Sequence, residues 1–326
     1  MILTTKFIKH ERLLITAIAL AFLITLLLII PHPLVYWLKF WWMFPVALLI
    51  ALIVNTLGIS GAALFVPFFI LIFPLFTASL TPTQSVKLGL ITESFGLSSS
   101  ALAFIRFGLV DKKLALYSIL GALPLVIAGS LLTSFIPKSV LLIMIAALLI
   151  IAIFLVKFKN KLKERRLHEL SSKSIDYTEP IGEKISITSR DGKIYNYCRT
   201  KNGYRKRFLG YGVGGFFQGA SGFGIGEMGI ISMILSNIPT RIAIGTSHLV
   251  VASTAIVASI IHISLAPTLG DTIPWNLPFM TVPAVIIGGQ LAPYMAAKLP
   301  TKLLEKFISL LFLVIAIALI ILALKN

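Results

Sequence analysis

The chain has 326 residues, of which 57% are hydrophobic and only 13% are charged, and its mean hydropathy is +0.97. A soluble domain carries roughly 25% charged residues, so this composition excludes an ordinary water-soluble protein. The net charge of +17 would suggest a nucleic-acid partner in a soluble chain, but +9 of it lies in residues 157–207. The chain is therefore predicted to be an all-α polytopic membrane protein with one basic segment outside the membrane.

The first apolar segment, residues 13–30, follows a basic leader and is nearly long enough to span a bilayer core. The Pro31-His32-Pro33 sequence after it lacks the small residues of a signal-cleavage site. We therefore expect residues 1–43 to hold one extra N-terminal transmembrane helix and an interfacial segment.

Two later apolar segments, 44–76 and 208–238, are too long for one untilted span and too short for two. Similar tetrapeptides interrupt them, Gly58-Ile-Ser-Gly61 in the first and Gly219-Ala-Ser-Gly222 in the second. This match predicts two repeats, 44–158 and 208–326, each made of a re-entrant broken-helix hairpin and three transmembrane helices. A repeat of this size is typical of secondary transporters.

The positions of Lys and Arg predict the orientation, because cytoplasmic loops are enriched in both residues. If each broken segment returns to its own side, the N-terminus, residues 106–113 and the basic segment 159–207 all face the cytoplasm. If each broken segment crossed the membrane once, residues 106–113 and the basic segment would lie outside. The first arrangement is preferred, and it inverts the repeats about the membrane plane, a geometry that many alternating-access transporters have. Asp191-Gly192 also predicts a small β-hairpin in the basic segment.

Non-helical backbone inside a membrane is tolerated only where protein buries it or water reaches it. The two interruptions therefore mark a candidate cavity. A half-helix that starts there presents free N–H groups and the positive end of its dipole, which favour an anion. The alternative is that small residues here only let helices approach closely. The predicted anion-binding residues at the interruptions are Ser60, Gly61, Ala62, Ser221, Gly222 and Phe223.

Glu93 and Glu227 are the two acidic residues within predicted membrane segments. A charge at the bilayer centre costs at least about 2.5–3.5 kcal/mol, so such residues are functional candidates. Both are candidate proton carriers. The alternative for Glu93 is a neutral carboxylic acid that is hydrogen-bonded among polar side chains. The alternative for Glu227 is a structural partner of Arg241 or His248.

Two basic candidates complete the predicted site. Lys87 lies a turn inside its helix and is either a cation for the substrate or an anchor that reaches the headgroups. His248 titrates near physiological pH in an ordinary environment and is either a substrate ligand or a packed side chain. His262, at the end of its helix, is expected at the interface.

Five short motifs can be compared with known families: residues 58–67, 107–111, 129 with 136–137, 219–226 and 244–247. In these motifs the sequence resembles the TauE/SafE family of sulfite exporters, which are permeases for sulfite, sulfonates and related organic anions. The resemblance covers nearly the whole chain after residue 44. The sequence departs from the family pattern at Ser60, Ala62, Lys87, Glu93 and Glu227.

The resemblance and the repeat together predict a secondary active transporter that exports a small anion, such as sulfite or an organosulfonate, by alternating access. Proton coupling is left open, and the alternatives are an anion channel or an intramembrane enzyme. The enzyme is disfavoured because no metal or nucleophile motif such as His-Glu-x-x-His is present. We expect a multi-pass protein of the cell membrane whose partners are a small anion and lipid. No cofactor, metal or nucleic acid is expected, and a homodimer is left open.

Overall fold

The computed structural model describes residues 2–172, 182–267, 271–298 and 301–325, and most of them are helical. The elements of the first half are α1 (Ile2–Ile29), α2 (Leu34–Leu38), α3 (Met43–Leu57), α4 (Ala62–Pro67), α5 (Pro82–Arg106), α6 (Lys112–Leu132) and α7 (Lys138–Ser172). They are followed by β1 (Glu183–Thr188), β2 (Ile194–Arg199), α8 (Lys201–Ser221), α9 (Ile225–Ile234), α10 (Thr240–Leu265), α11 (Asn276–Lys298) and α12 (Thr301–Lys325).

Six helices of the described residues are long and apolar enough to cross a membrane. They are α5, α6 and the first part of α7 in the first half, and α10, α11 and α12 in the second. The apolar helices α3 and α9 are shorter. The predicted all-α polytopic membrane fold is confirmed.

The first predicted interruption is a break between helices, whereas the second break begins only at Gly222, the last residue of the predicted tetrapeptide, because residues 219–221 still belong to α8. The first break, residues 58–61, separates α3 from α4, and the second break, residues 222–224, separates α8 from α9. Gly58 has φ +76° and Gly222 has φ +95°, a left-handed conformation that side chains with a Cβ rarely adopt. After α4 the chain continues as a π-helical segment, Phe68–Ile72, and a short 3₁₀ turn, Phe73–Leu75.

Helix packing follows the same plan in the two halves. α3 packs on α11 as α8 packs on α6, and α5 packs on α11 as α10 packs on α6. α5 also packs on α10, and α7 packs on α12, so equivalent helices meet across the molecule. This pairing is what two related halves would give. The inversion of the repeats and their boundaries at 44–158 and 208–326 stay predictions.

The start of α5 is fixed by its own sequence. Thr81 Oγ1 accepts a hydrogen bond from the Gln84 amide at 3.1 Å, and Gln84 Oε1 accepts one from the Thr81 amide at 3.0 Å. Pro82 occupies the first helical turn, where its missing N–H costs nothing. This capping box fixes the residue at which α5 begins.

The predicted hairpin is present between α7 and α8. β1 and β2 are antiparallel, with Glu183 opposite Arg199 and Thr188 opposite Ile194. Gly192, with φ +77°, forms the turn after Asp191. α7 extends to Ser172 and α8 begins at Lys201, so both helices enter the predicted 159–207 segment. Residues 173–181 of that segment lie outside the described residues.

Candidate functional site

The two helix breaks lie against each other. A Cβ atom added at Gly222 would lie 3.3 Å from Val66 and 3.4 Å from Ala62, which are both in α4. A Cβ atom at Gly226 would lie 3.5 Å from the Ser60 amide nitrogen. The backbone N–H groups that begin α4 are therefore enclosed by the second break and by the helices that support it.

Glu93 reaches the first break from the middle of α5. One of its carboxyl oxygens accepts hydrogen bonds from the Ser60 hydroxyl and from the Ala62 amide, the latter at 3.4 Å. The other oxygen accepts a bond from the Gln218 side chain at 3.3 Å. Glu93 is buried. Its carboxyl group accepts hydrogen bonds from Ser60 and Ala62, which the sequence analysis predicted as donors to a substrate anion.

Glu227 reaches the same place from the first turn of α9. Its Oε1 accepts a hydrogen bond from the Ser60 amide at 3.0 Å, and its buried Oε2 has no hydrogen-bond partner. Ser60 thus binds Glu93 through its hydroxyl group and Glu227 through its backbone. Within the described residues, no ion pair includes either acid, although a buried carboxylate without a cation is costly.

The alternative in which Glu227 pairs with Arg241 or His248 is wrong. Arg241 lies 2.8 Å from Asp191 Oδ2 and 2.9 Å from the Tyr195 hydroxyl, both in the hairpin region. His248 Nδ1 is hydrogen-bonded to the Ser100 hydroxyl on α5 at 2.8 Å. Arg241 therefore pairs with the Asp191 carboxylate and His248 with the Ser100 hydroxyl. Neither pairing was predicted from the sequence.

His248 is buried between α10 and α5. Its ring stands edge-on to Phe104, with 5.0 Å between the ring centres. Its Nε2 has no hydrogen-bond partner. His248 is thus hydrogen-bonded to α5 and to neither break, and its second ring nitrogen is buried without a partner.

Lys87 is buried and paired. Its Nζ lies 2.6 Å from Asp271 Oδ2, and Thr83 Oγ1 lies 3.4 Å from the same oxygen. Asp271 belongs to the connection between α10 and α11, so this pair joins the start of α5 to the second half. Since Lys87 is only 3% exposed, it does not reach outward as an interfacial anchor would.

The predicted substrate residues of the second break are buried with their hydrogen bonds largely satisfied within the protein. The Ser221 hydroxyl donates to the Phe217 carbonyl of its own helix at 2.8 Å. Gly222 donates its N–H to the Gln218 carbonyl at 2.8 Å, and the Phe223 side chain is fully buried. The second break therefore contributes shape and packing to the junction, whereas the first break contributes the donors.

A small cavity adjoins Glu93. It has a volume of about 10 Å³, and its walls include Asn55, Gly61, Thr92 and Gly96. A cavity of this size holds about one water molecule. An oxyanion with several heavy atoms therefore requires the helices around Glu93 to separate.

The sequence model of the TauE/SafE sulfite exporter family matches residues 43–319. The chain belongs to the TauE/SafE family. Comparisons with curated proteins and with solved structures gave no significant match. The match to TauE/SafE begins with α3 and ends within α12, so it includes both breaks. This TauE/SafE member is a multi-pass membrane protein of an exporter family.

In this TauE/SafE protein, the β-hairpin is held to the helices through Asp111, which precedes α6. Asp111 accepts hydrogen bonds from the Arg199 guanidinium at 2.6 and 2.9 Å and from the Tyr197 hydroxyl at 2.6 Å. Burial raises the pKa of Asp111, but the bonds from Arg199, Tyr197 and the Leu114 amide outweigh it and hold the pKa below its ordinary value of 3.8. Burial and the Asp111 carboxylate in turn raise the pKa of Tyr197.

A second attachment joins the hairpin to the other half of this TauE/SafE chain. Asp191 in the turn pairs with Arg241 at 2.8 Å, just after the start of α10. Hydrogen bonds from Ser189 and Arg241 lower the pKa of Asp191 to about 2. The hairpin thus contacts the α5–α6 connection and α10 at once.

Several site residues were missed by the sequence reasoning. Gln218 directly precedes the second tetrapeptide, and its polar side chain in an apolar segment was a usable signal. Asp271 lies in a loop, where no pattern distinguishes it. The structure also places His262 differently from the prediction: it is buried, and its Nε2 is hydrogen-bonded to the Gly219 carbonyl at 2.8 Å. The interfacial position expected for His262 is wrong, since the end of α10 packs against the last turn of α8.

Proposed function

We propose that this protein exports a small anion, such as sulfite or an organosulfonate, as a secondary transporter that works by alternating access and couples transport to protons. The observation that carries the proposal is the convergence of Glu93 and Glu227 on Ser60, where the two helix breaks meet. Membership of an exporter family supports the class of activity.

The coupling follows from competition for the same donors. The Ser60 hydroxyl and the Ala62 amide, which would bind an anion, are bound to Glu93. A substrate anion must therefore displace this carboxyl group or meet it in a protonated form. Two like charges about 4 Å apart repel by about 4 kcal/mol at an effective dielectric constant of 20. Protonation of Glu93 or Glu227 thus favours anion binding, and the anion in turn favours protonation.

This linkage makes the proton and the anion travel together. One proton that moves with one monovalent anion transfers no net charge, so the membrane potential does not drive this joint transport. The direction of net flux then follows the gradients of substrate and pH. Export by this route therefore requires an outward substrate gradient that exceeds any inward proton gradient.

Two contacts are suited to open in turn during alternating access. Lys87 and Asp271 join the start of α5 to the α10–α11 connection. The Asp111 amide donates to Thr246 Oγ1 at 2.9 Å and joins the α5–α6 connection to the first part of α10. We assign these contacts to opposite sides of the membrane, with residues 159–207 and the N-terminus in the cytoplasm, from the distribution of Lys and Arg.

The proposed substrate-binding residues take their roles once a contact opens. The first break supplies donors from Ser60, Gly61 and Ala62, and the second break supplies Ser221, Gly222 and Phe223 as the facing wall. Lys87 meets the anion after it separates from Asp271. His248 offers its unpaired Nε2 from α10.

The experiment that tests this function is counterflow of labelled sulfite in proteoliposomes. Vesicles loaded with unlabelled sulfite should take up the labelled ion faster than empty vesicles, in a saturable way. Sulfonates, carboxylates and sulfate added as competitors identify the class of anion. Flux without counterflow would indicate a channel, and no exchange with any of these anions would contradict the proposal.

Proton coupling is tested separately with Glu93→Gln. This variant keeps the shape of the side chain but removes its titration, so exchange should lose its pH dependence. Glu183→Gln, at an exposed acid of the hairpin, is the matched control and should keep the wild-type pH profile. A wild-type pH profile for Glu93→Gln would remove Glu93 as a proton carrier and leave Glu227 as the remaining candidate.

A further inference from the structure

Arg207, in the second turn of α8, is a buried cation without a hydrogen-bonded partner among the described residues. Its side chain is only 2% exposed, and Nε, Nη1 and Nη2 all lack hydrogen bonds. The guanidinium lies over the ring of Tyr204, 4.7 Å from its centre. Arginine cannot escape the cost of burial by losing its proton. A buried cation without a hydrogen-bonded partner among the described residues requires an explanation, and a bound anion is one.

Arg207 lines a groove between α6 and α8 with a volume of about 540 Å³. The walls are mostly apolar and include Tyr117, Leu120 and Gly121 from α6 and Phe208 from α8. Leu120 and Phe208 are 58% and 60% exposed, as expected for side chains that face lipid. A Cβ atom at Gly121 would lie 2.7 Å from the Phe208 ring, so glycine at this position lets the ring lie close to α6.

The charge around the groove increases toward the first turns of α8. Lys201, Arg205 and Lys206 are all exposed there. The groove therefore has a basic end beside the hairpin and an apolar wall that continues along the lipid-facing surface. Basic pockets between transmembrane helices commonly bind the headgroups of anionic lipids.

We propose that this groove binds an anionic phospholipid. The headgroup phosphate accepts hydrogen bonds from Arg207, whose planar guanidinium matches a phosphate group with two parallel bonds. An acyl chain lies along Leu120 and Phe208. Tyr204, which stands edge-on to Tyr117 with 5.6 Å between ring centres, turns aside to admit the phosphate. A free phosphate would use only the guanidinium, whereas a lipid uses the apolar wall as well.

The test compares binding of phosphatidylglycerol, phosphatidylcholine and inorganic phosphate to the full chain in detergent. Retained lipid is measured by native mass spectrometry, and protection is measured by thermal unfolding. The wild type should retain phosphatidylglycerol and gain thermal stability from it. Arg207→Gln should bind it roughly tenfold to a hundredfold more weakly, as expected for the loss of a charged hydrogen bond. Lys201→Gln removes the same charge from outside the groove and should bind like the wild type.

A second variant keeps the proposal falsifiable if Arg207→Gln does not fold. Leu120→Trp narrows the groove at an exposed position without altering Arg207, and it should also lose phosphatidylglycerol. Equal binding by the wild type and the folded groove variants would overturn the proposal. An equal loss in Lys201→Gln would overturn it in favour of general surface attraction. Full protection by inorganic phosphate alone would overturn it in favour of a free anion.

Discussion

The ion pair between Lys87 and Asp271 allows a quantitative prediction because one partner is almost completely buried. The two charged atoms are 2.6 Å apart, and the side chains are 3% and 16% exposed. Asp271→Asn leaves the Lys87 ammonium buried without its carboxylate. Removal of one partner from a buried pair costs about 3–5 kcal/mol. Since Asp271 is partly exposed, we expect a loss near the lower end, about 3 kcal/mol.

Removal of both charges should be less harmful than the single changes suggest. Lys87→Met combined with Asp271→Asn leaves no buried charge, and uncharged replacements of buried pairs are often close to neutral. The double variant should therefore be more stable than Asp271→Asn alone, with a coupling energy of about 1–3 kcal/mol between the two positions. Thermal unfolding of the four proteins in detergent at one scan rate measures this cycle.

The exposed pair between Lys113 and Glu183 is the matched control. These side chains are 51% and 48% exposed and lie 3.0 Å apart, so the same cycle should give a much smaller coupling energy than at Lys87 and Asp271. Additive effects of the two changes at Lys87 and Asp271, as at the control pair, would refute the argument from burial.

The same variants separate two roles of Lys87 in transport. If Lys87 only closes one side of the protein, the double variant should keep a wild-type KM for the anion. If Lys87 binds the anion, every variant without the lysine should raise KM, whether or not Asp271 is changed. Counterflow at several substrate concentrations distinguishes these outcomes.

Three further predictions concern the site and the hairpin. Ser60→Ala should change the pH dependence of exchange because it removes the hydroxyl donor to Glu93, whereas Ser221→Ala should behave like the wild type, since that hydroxyl bonds within its own helix; equal effects would contradict the assignment. Because the pKa of Asp111 is below 3.8 in the folded protein, its stabilisation of the hairpin is complete above that pH and declines below it. The protection factors of the β1 and β2 amides, which compare each exchange rate with the intrinsic rate at the same pH, should therefore fall in acid, and unchanged protection factors would count against this role of Asp111. A cysteine in the hairpin turn, in a variant without Cys198, should not react with membrane-impermeant thiol reagents in intact cells. Labelling would contradict the predicted cytoplasmic position of the hairpin.

The helix breaks were predictable from sequence because backbone geometry limits the residues that can form them. A left-handed residue inside an apolar segment strongly favours glycine, and Gly58 and Gly222 mark both breaks. The β-hairpin was predictable for the same reason, since Asp191-Gly192 suits its turn. These features depend on neighbours in the chain and leave a local signal.

The partners of the buried charges were not predictable, because they come from distant parts of the chain. Glu227 is hydrogen-bonded to Ser60, far away in sequence, and not to Arg241 or His248. Asp271 carries no local signal that it meets Lys87. Such contacts depend on how the two halves pack against each other, and the spacing of residues along the chain does not determine that packing.

The β-hairpin connects the halves at two points of unequal strength. Asp111 and Arg199 form a buried, bidentate contact, whereas Asp191 and Arg241 form a more exposed one. Any motion that separates α10 from the α5–α6 connection must release one of these contacts, and the exposed contact costs less. In the part of the chain that the structure describes, the start of α5 meets the α10–α11 connection directly, through Thr83, Gln84 and Lys87, and not through a hairpin. In the proposed alternating-access cycle, the step that opens the hairpin side should therefore have the higher activation barrier.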